Sequence, residues 1–123
     1  MRFPWFTGAV AALALFPAVS HAQRGINLTT RTAADLAALC GAKSGTPRAD
    51  AGINYCRGFA QGVADVLLGT AGATKPFCFP NPPPTRAATL AQFVDWVRAV
   101  PEHAQLPAAK GLAQFLGERF PCK

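Results

Sequence analysis

The chain has 123 residues, 50% of them hydrophobic, with 11 glycines, 11 prolines, four cysteines and a formal charge of +6. That length supplies one compact core and leaves no room for a second domain. The basic residues are scattered singly, among them Arg31, Lys43, Arg57, Lys75, Arg86, Arg98, Lys110 and Arg119, and aromatic residues are not interleaved with them as on a stacking platform. The charge therefore favours anionic partners in a general way and excludes a nucleic-acid footprint.

The first residues carry Arg2, an apolar run from Phe6 to Val19, and the small residues Ser20 and Ala22. This pattern predicts a secretory signal peptide over residues 1–22, not a transmembrane helix, which needs about 20 apolar residues and different flanks. Pro, Gly and charged residues interrupt every later apolar run, so no membrane span is expected. Residues 23–123 then form a single mature domain, with the bacterial periplasm as its destination.

Thr32 followed by Asp35 and by Leu36, Leu39 and Cys40 predicts a short helix capped by the hydroxyl and ending near Gly41. Ile53, Cys56, Phe59, Ala60, Val63 and Leu67 recur three or four apart, giving a second helix from about Asp50 to Leu68 with Gly69 as its C-cap. Residues 69–86 contain Pro76, Pro80 and Pro82-Pro83-Pro84, which exclude helix and central strand and leave a long loop around Cys78. Thr89 with Gln92 reads as a capping box for a third helix, with Leu90, Phe93, Val94, Val97 and Val100 on one side and Pro101 as its stop. Pro107 suits the first turn of a fourth helix that reaches about Arg119 and buries Ala108, Leu112, Phe115 and Leu116. No strand-like alternation occurs. The expected fold is all-α, a compact bundle of four main helices.

An even cysteine count in a secreted chain points to disulfides. Cys40, Cys56, Cys78 and Cys122 allow three connectivities, and spacing alone does not choose among them. If the helices run alternately up and down, Cys40 approaches Cys56 and Cys78 approaches Cys122, which makes that pairing the preferred one.

Catalytic chemistry is poorly provided for. The mature chain has one histidine, His103, in a turn, with no second histidine to share a zinc ion. Paired cysteines offer neither a thiolate nor a metal ligand. No two carboxylates are spaced as an acid/base pair, so no catalytic residue, metal or cofactor is expected. Asp65 is the acid placed to bond to the following loop, and Gly58 and Gly62 form a G-x-x-x-G pair suited to close helix packing; all three are expected to be structural.

The run Tyr55-Cys56-Arg57-Gly58-Phe59-Ala60-Gln61-Gly62-Val63-Ala64-Asp65, then Phe77-Cys78-Phe79-Pro80, then Thr89 to Val100 with Pro101-Glu102, and finally Phe120-Pro121-Cys122 resembles the Rap/Tai family of type VI secretion immunity proteins. The likeness covers about residues 32 to 122. It implies a small, helical, disulfide-bonded periplasmic protein, often a homodimer, that binds and blocks a secreted peptidoglycan amidase and is not itself an enzyme. A periplasmic chaperone or an envelope-associated helical binding protein is the alternative. For an inhibitory scaffold the 70–86 loop is the expected presenting surface, through Lys75, Phe77, Phe79 and Arg86, since aromatic and arginine side chains dominate hot spots. Phe77 and Phe79 could instead fold inward beside Cys78.

Overall fold

The computed structural model describes residues 28–123; the expected signal peptide, residues 1–22, lies outside them. The described residues form five helices and no strand: α1 (Ala33–Cys40), α2 (Pro47–Gly69), α3 (Arg86–Ala99), α4 (Pro101–Gln105) and α5 (Ala108–Arg119). The fold is all-α. The fifth element is α4, a helix of 5 residues that packs against α1 and α3 and joins α3 to α5.

Each start follows from local chemistry. The Thr32 hydroxyl accepts from the Asp35 amide at 3.2 Å, and the Asp35 carboxylate accepts from the Thr32 and Arg31 amides at 2.9 and 3.0 Å, so α1 opens with a full capping box. The Thr32 and Arg31 amides hold the Asp35 carboxyl below its ordinary value. Helix α2 starts earlier than its apolar periodicity suggests, because Thr46 caps it and Pro47 fits the first helical position. At its other end Gly69 is still helical and Thr70 is the C-cap.

The third helix also differs from expectation. Thr85, not Thr89, is its N-cap, and accepts from the Ala88 amide at 3.1 Å. The chain can turn helical as soon as the proline run ends. Thr89 lies one turn inside, buried, with its hydroxyl donating to the Thr85 carbonyl at 3.1 Å. Pro101 ends α3 but also opens α4, since Val100 is extended and serves as the boundary of both. Pro107 is the N-cap of α5, one position before the first turn.

The core is continuous through α1, α3 and α5. Leu36, Phe93, Leu112 and Phe115 are at most 1% exposed, and Phe93 meets Phe115 edge-on at 5.6 Å. Short α1 is deep in the molecule, packed on all four other helices. Its N-terminus is tied across to the start of α5 by Ala33 N–H to Leu106 O at 2.8 Å and Ala108 N–H to Arg31 O at 3.0 Å. Gly111 permits this approach, since a Cβ there would stand 2.8 Å from the Ala33 Cβ.

Candidate functional site

Two disulfides hold the ends of the bundle. Cys40 and Cys56 are bonded, as are Cys78 and Cys122, with Cα separations of 5.2 and 4.9 Å. No cysteine is free. The second bridge anchors residues 70–85, which have no helix or strand of their own, and the Cys78 amide donates to the Phe120 carbonyl at 2.8 Å beside it.

This anchoring separates the two loop phenylalanines. Phe77 turns inward and is 1% exposed, so it belongs to the core and is not available to a partner. An apolar ring in a proline-rich segment has no regular periodicity to reveal its side, and here the adjacent Cys78 is held to the end of the chain by the bridge and by its backbone bond to Phe120. Phe79 stays 41% exposed, edge-on to Phe77 at 5.2 Å and to Phe120 at 4.9 Å. Lys75 is exposed at the start of the loop.

Between this loop and the second half of α2 runs a cleft of about 310 Å³. Phe79, Pro83 and Pro84 form one wall and Ala64 and Leu68 the other, while Leu90, Leu112 and Leu116 make the floor. Arg86 and Asp65 are both at its mouth, joined through a residue the sequence does not single out. The Arg86 guanidinium donates to Gln61 Oε1 at 2.8 Å, and Gln61 Nε2 donates to Asp65 Oδ1 at 2.7 Å. Asp65 thus bonds within its own helix, and Gln61 carries the link to the base of the loop. The cleft brings Phe79, Arg86 and Asp65 together; it does not include Lys75 or Phe77.

Gly58 and Gly62 do not mediate helix packing within the chain. A Cβ at either would meet nothing within 4 Å, because their side of α2 looks outward and the α5 residues nearby, Ala109 and Ala113, are small. Together with Val66, which is 64% exposed, they line an open apolar surface. A second hollow, of about 570 Å³, lies beside the Cys40–Cys56 bridge and carries Arg57, Arg98, Asp50 and Asp95.

At another face the Trp96 indole N–H donates to Glu118 Oε2 at 2.8 Å while the His103 ring stacks on Trp96 with centroids 3.6 Å apart. His103 Nδ1 lies 2.9 Å from the Trp96 carbonyl oxygen. Glu118 also accepts from Gln114 at 2.8 Å, and these hydrogen bonds, that from Gln114 first and that from Trp96 second, hold its carboxyl below the ordinary value. His103 is therefore built into an α3–α4–α5 contact. Among the described residues, no group of three or more His, Cys, Asp and Glu side chains could hold a metal ion. No helix among them is long and apolar enough to cross a membrane.

A family model described as Rap1a immunity proteins matches residues 32–122, which span all five helices and both disulfides. Among curated proteins and solved structures nothing matches.

Proposed function

The chain belongs to the Rap1a immunity protein family, and from that premise we propose that it neutralises a peptidoglycan amidase delivered into the periplasm by a type VI secretion system. The family match carries this reading. In it, residues 1–22 direct export and are removed, residues 23–123 fold as one domain, and the protein acts by binding, with no chemistry of its own. Two disulfides suit an oxidising compartment, and by fixing the loop before any partner arrives they lower the ordering cost of association. The contact surface is the rim of the cleft, where Phe79 and Leu68 are exposed and Arg86 is fixed by one hydrogen bond. Pairing of two copies belongs to the same reading, with the open apolar side of α2 around Val66 available for it.

The test is protection. Cells exporting to their periplasm a peptidoglycan amidase that this chain binds should survive when the full chain is co-expressed and lyse without it; equal lysis for every such amidase tested would reject immunity. The double substitution Lys75→Glu with Arg86→Glu should weaken protection and leave the thermal midpoint nearly unchanged. Both side chains are exposed, and an acid at the first position of α3 suits the helix dipole. Undiminished protection would remove the loop from the contact.

A further inference from the structure

We infer that the cleft between α2 and the proline loop is a receptor for an apolar side chain of the toxin whose neighbouring residue carries a carboxylate. The identity of the partner rests on the immunity reading; the chemistry of the occupant rests on the cleft itself. Its floor is apolar, with Leu90, Leu112 and Leu116 at most 6% exposed. Its mouth holds two of the four exposed large hydrophobic residues among those described, Leu68 on α2 and Phe79 on the loop. A side chain entering between them covers apolar surface on both walls, which is the form of a binding hot spot. At about 310 Å³ the space sits at the small end of ligand-holding cavities and suits an amino-acid side chain better than a long acyl chain.

The polar groups at the mouth define what must accompany that side chain. The Gln61 carboxamide is engaged at both ends, its N–H bonded to Asp65 and its oxygen to Arg86. The Thr89 hydroxyl is spent on the Thr85 carbonyl. Arg86 has five N–H donors, and a single bond to Gln61 uses one of them. The Arg86 guanidinium therefore keeps unused donors at the mouth, while the Asp65 carboxylate already accepts from Gln61. Asp65 is the one anion there, and Gln61 stands between it and the guanidinium. A carboxylate approaching Arg86 from the loop side completes the guanidinium, and the excess of eleven Lys and Arg over six Asp and Glu in residues 23–123 assists its approach.

The experiment is a nuclear magnetic resonance titration of the mature protein, residues 23–123 with both disulfides formed. The probes are acetyl-Gly-Leu-Glu-Gly-amide, its lysine counterpart acetyl-Gly-Leu-Lys-Gly-amide, and octanoate. The glutamate peptide should give saturable shifts at the amides of Gln61, Ala64 and Arg86. The lysine peptide should bind about tenfold more weakly, the size of one charge-assisted hydrogen bond. Arg86→Gln should bring the two peptides level, and Ala64→Met, which fills the cleft with a good helix former, should abolish binding while the circular dichroism spectrum is kept. Absence of saturable shifts at these amides, equal affinity for the two peptides, or tighter binding of octanoate than of the glutamate peptide would overturn the inference. Full protection of cells by the Ala64→Met chain would remove the cleft from a toxin contact that still exists. Peptide binding without any protection would remove the toxin as the partner.

Discussion

The two disulfides close unlike parts of the molecule. Cys40–Cys56 spans 16 residues and joins the last residue of α1 to α2, with Cys56 1% exposed among side chains that already pack together. Cys78–Cys122 spans 44 residues and ties a segment with no regular structure to the end of the chain, where Cys122 is exposed. Regular packing would bring α1 to α2 without help, since the two helices are in contact and Leu39, Phe59 and Val63 all pack against the same core as Leu36. The loop has no such periodic face. It depends on its bridge, on the Cys78–Phe120 backbone bond and on the Phe77, Phe79 and Phe120 rings. One staple thus reinforces a core, and the other makes the wall of a cleft.

Removing each staple in turn is the strongest way to break this contrast. In the chain-entropy model Cys78→Ser with Cys122→Ser should cost about 4 kcal/mol, and Cys40→Ser with Cys56→Ser about 3 kcal/mol, because the first pair closes the longer loop. Urea denaturation of the two double variants measures the order. The functional effects should differ more than the stabilities. Loss of the Cys78–Cys122 bridge should weaken protection against the amidase even at temperatures where the variant is fully folded, whereas loss of the Cys40–Cys56 bridge should lower stability and leave protection intact at low temperature. Equal effects on protection would show that the loop holds its shape without its anchor.

A smaller effect sharpens the same contrast from the side of the core. Thr32→Ala removes the hydroxyl that caps α1 and should cost about 1 kcal/mol. The loss is readable as a lowered midpoint of thermal unfolding, with the cleft and its peptide binding unaltered. The Thr32 cap was legible in the sequence because its chemistry lies within four residues, Thr32 to Asp35, although the reciprocal bond from the Asp35 carboxylate was not read from them. The apolar faces of α1, α2, α3 and α5 were legible for a related reason, since helical periodicity repeats a local rule. The loop obeys no such rule. Phe77 and Phe79 stand two residues apart, and only tertiary packing sends one into the core and leaves the other at the surface. Gln61 stood within the family-like run but with no role assigned to it, being one polar residue on an exposed helix side until Arg86 and Asp65 flank it. Thr89 was the start expected for α3, and the helix begins one turn earlier, at Thr85, because the chain can turn helical as soon as the proline run ends.

The smallest effect concerns the face formed by α3, α4 and α5, where Glu118 joins Gln114 and Trp96. The hydrogen bonds they donate favour the charged carboxylate and depress its pKa below the ordinary 4.5. A carboxyl depressed in the folded state stabilises fully above its unfolded pKa, and the contribution disappears as the pH falls through the folded value. The wild-type chain should therefore lose this increment below about pH 4.5, and Glu118→Gln should lack it at every pH. Because Glu118 is exposed, solvent screens the interaction and the difference at neutral pH should stay within about 0.5 kcal/mol. Denaturant midpoints of the two proteins should converge between pH 5 and pH 3. Midpoints that run parallel across that range would mean that the Trp96–Glu118 contact adds nothing to the tie between α3 and α5.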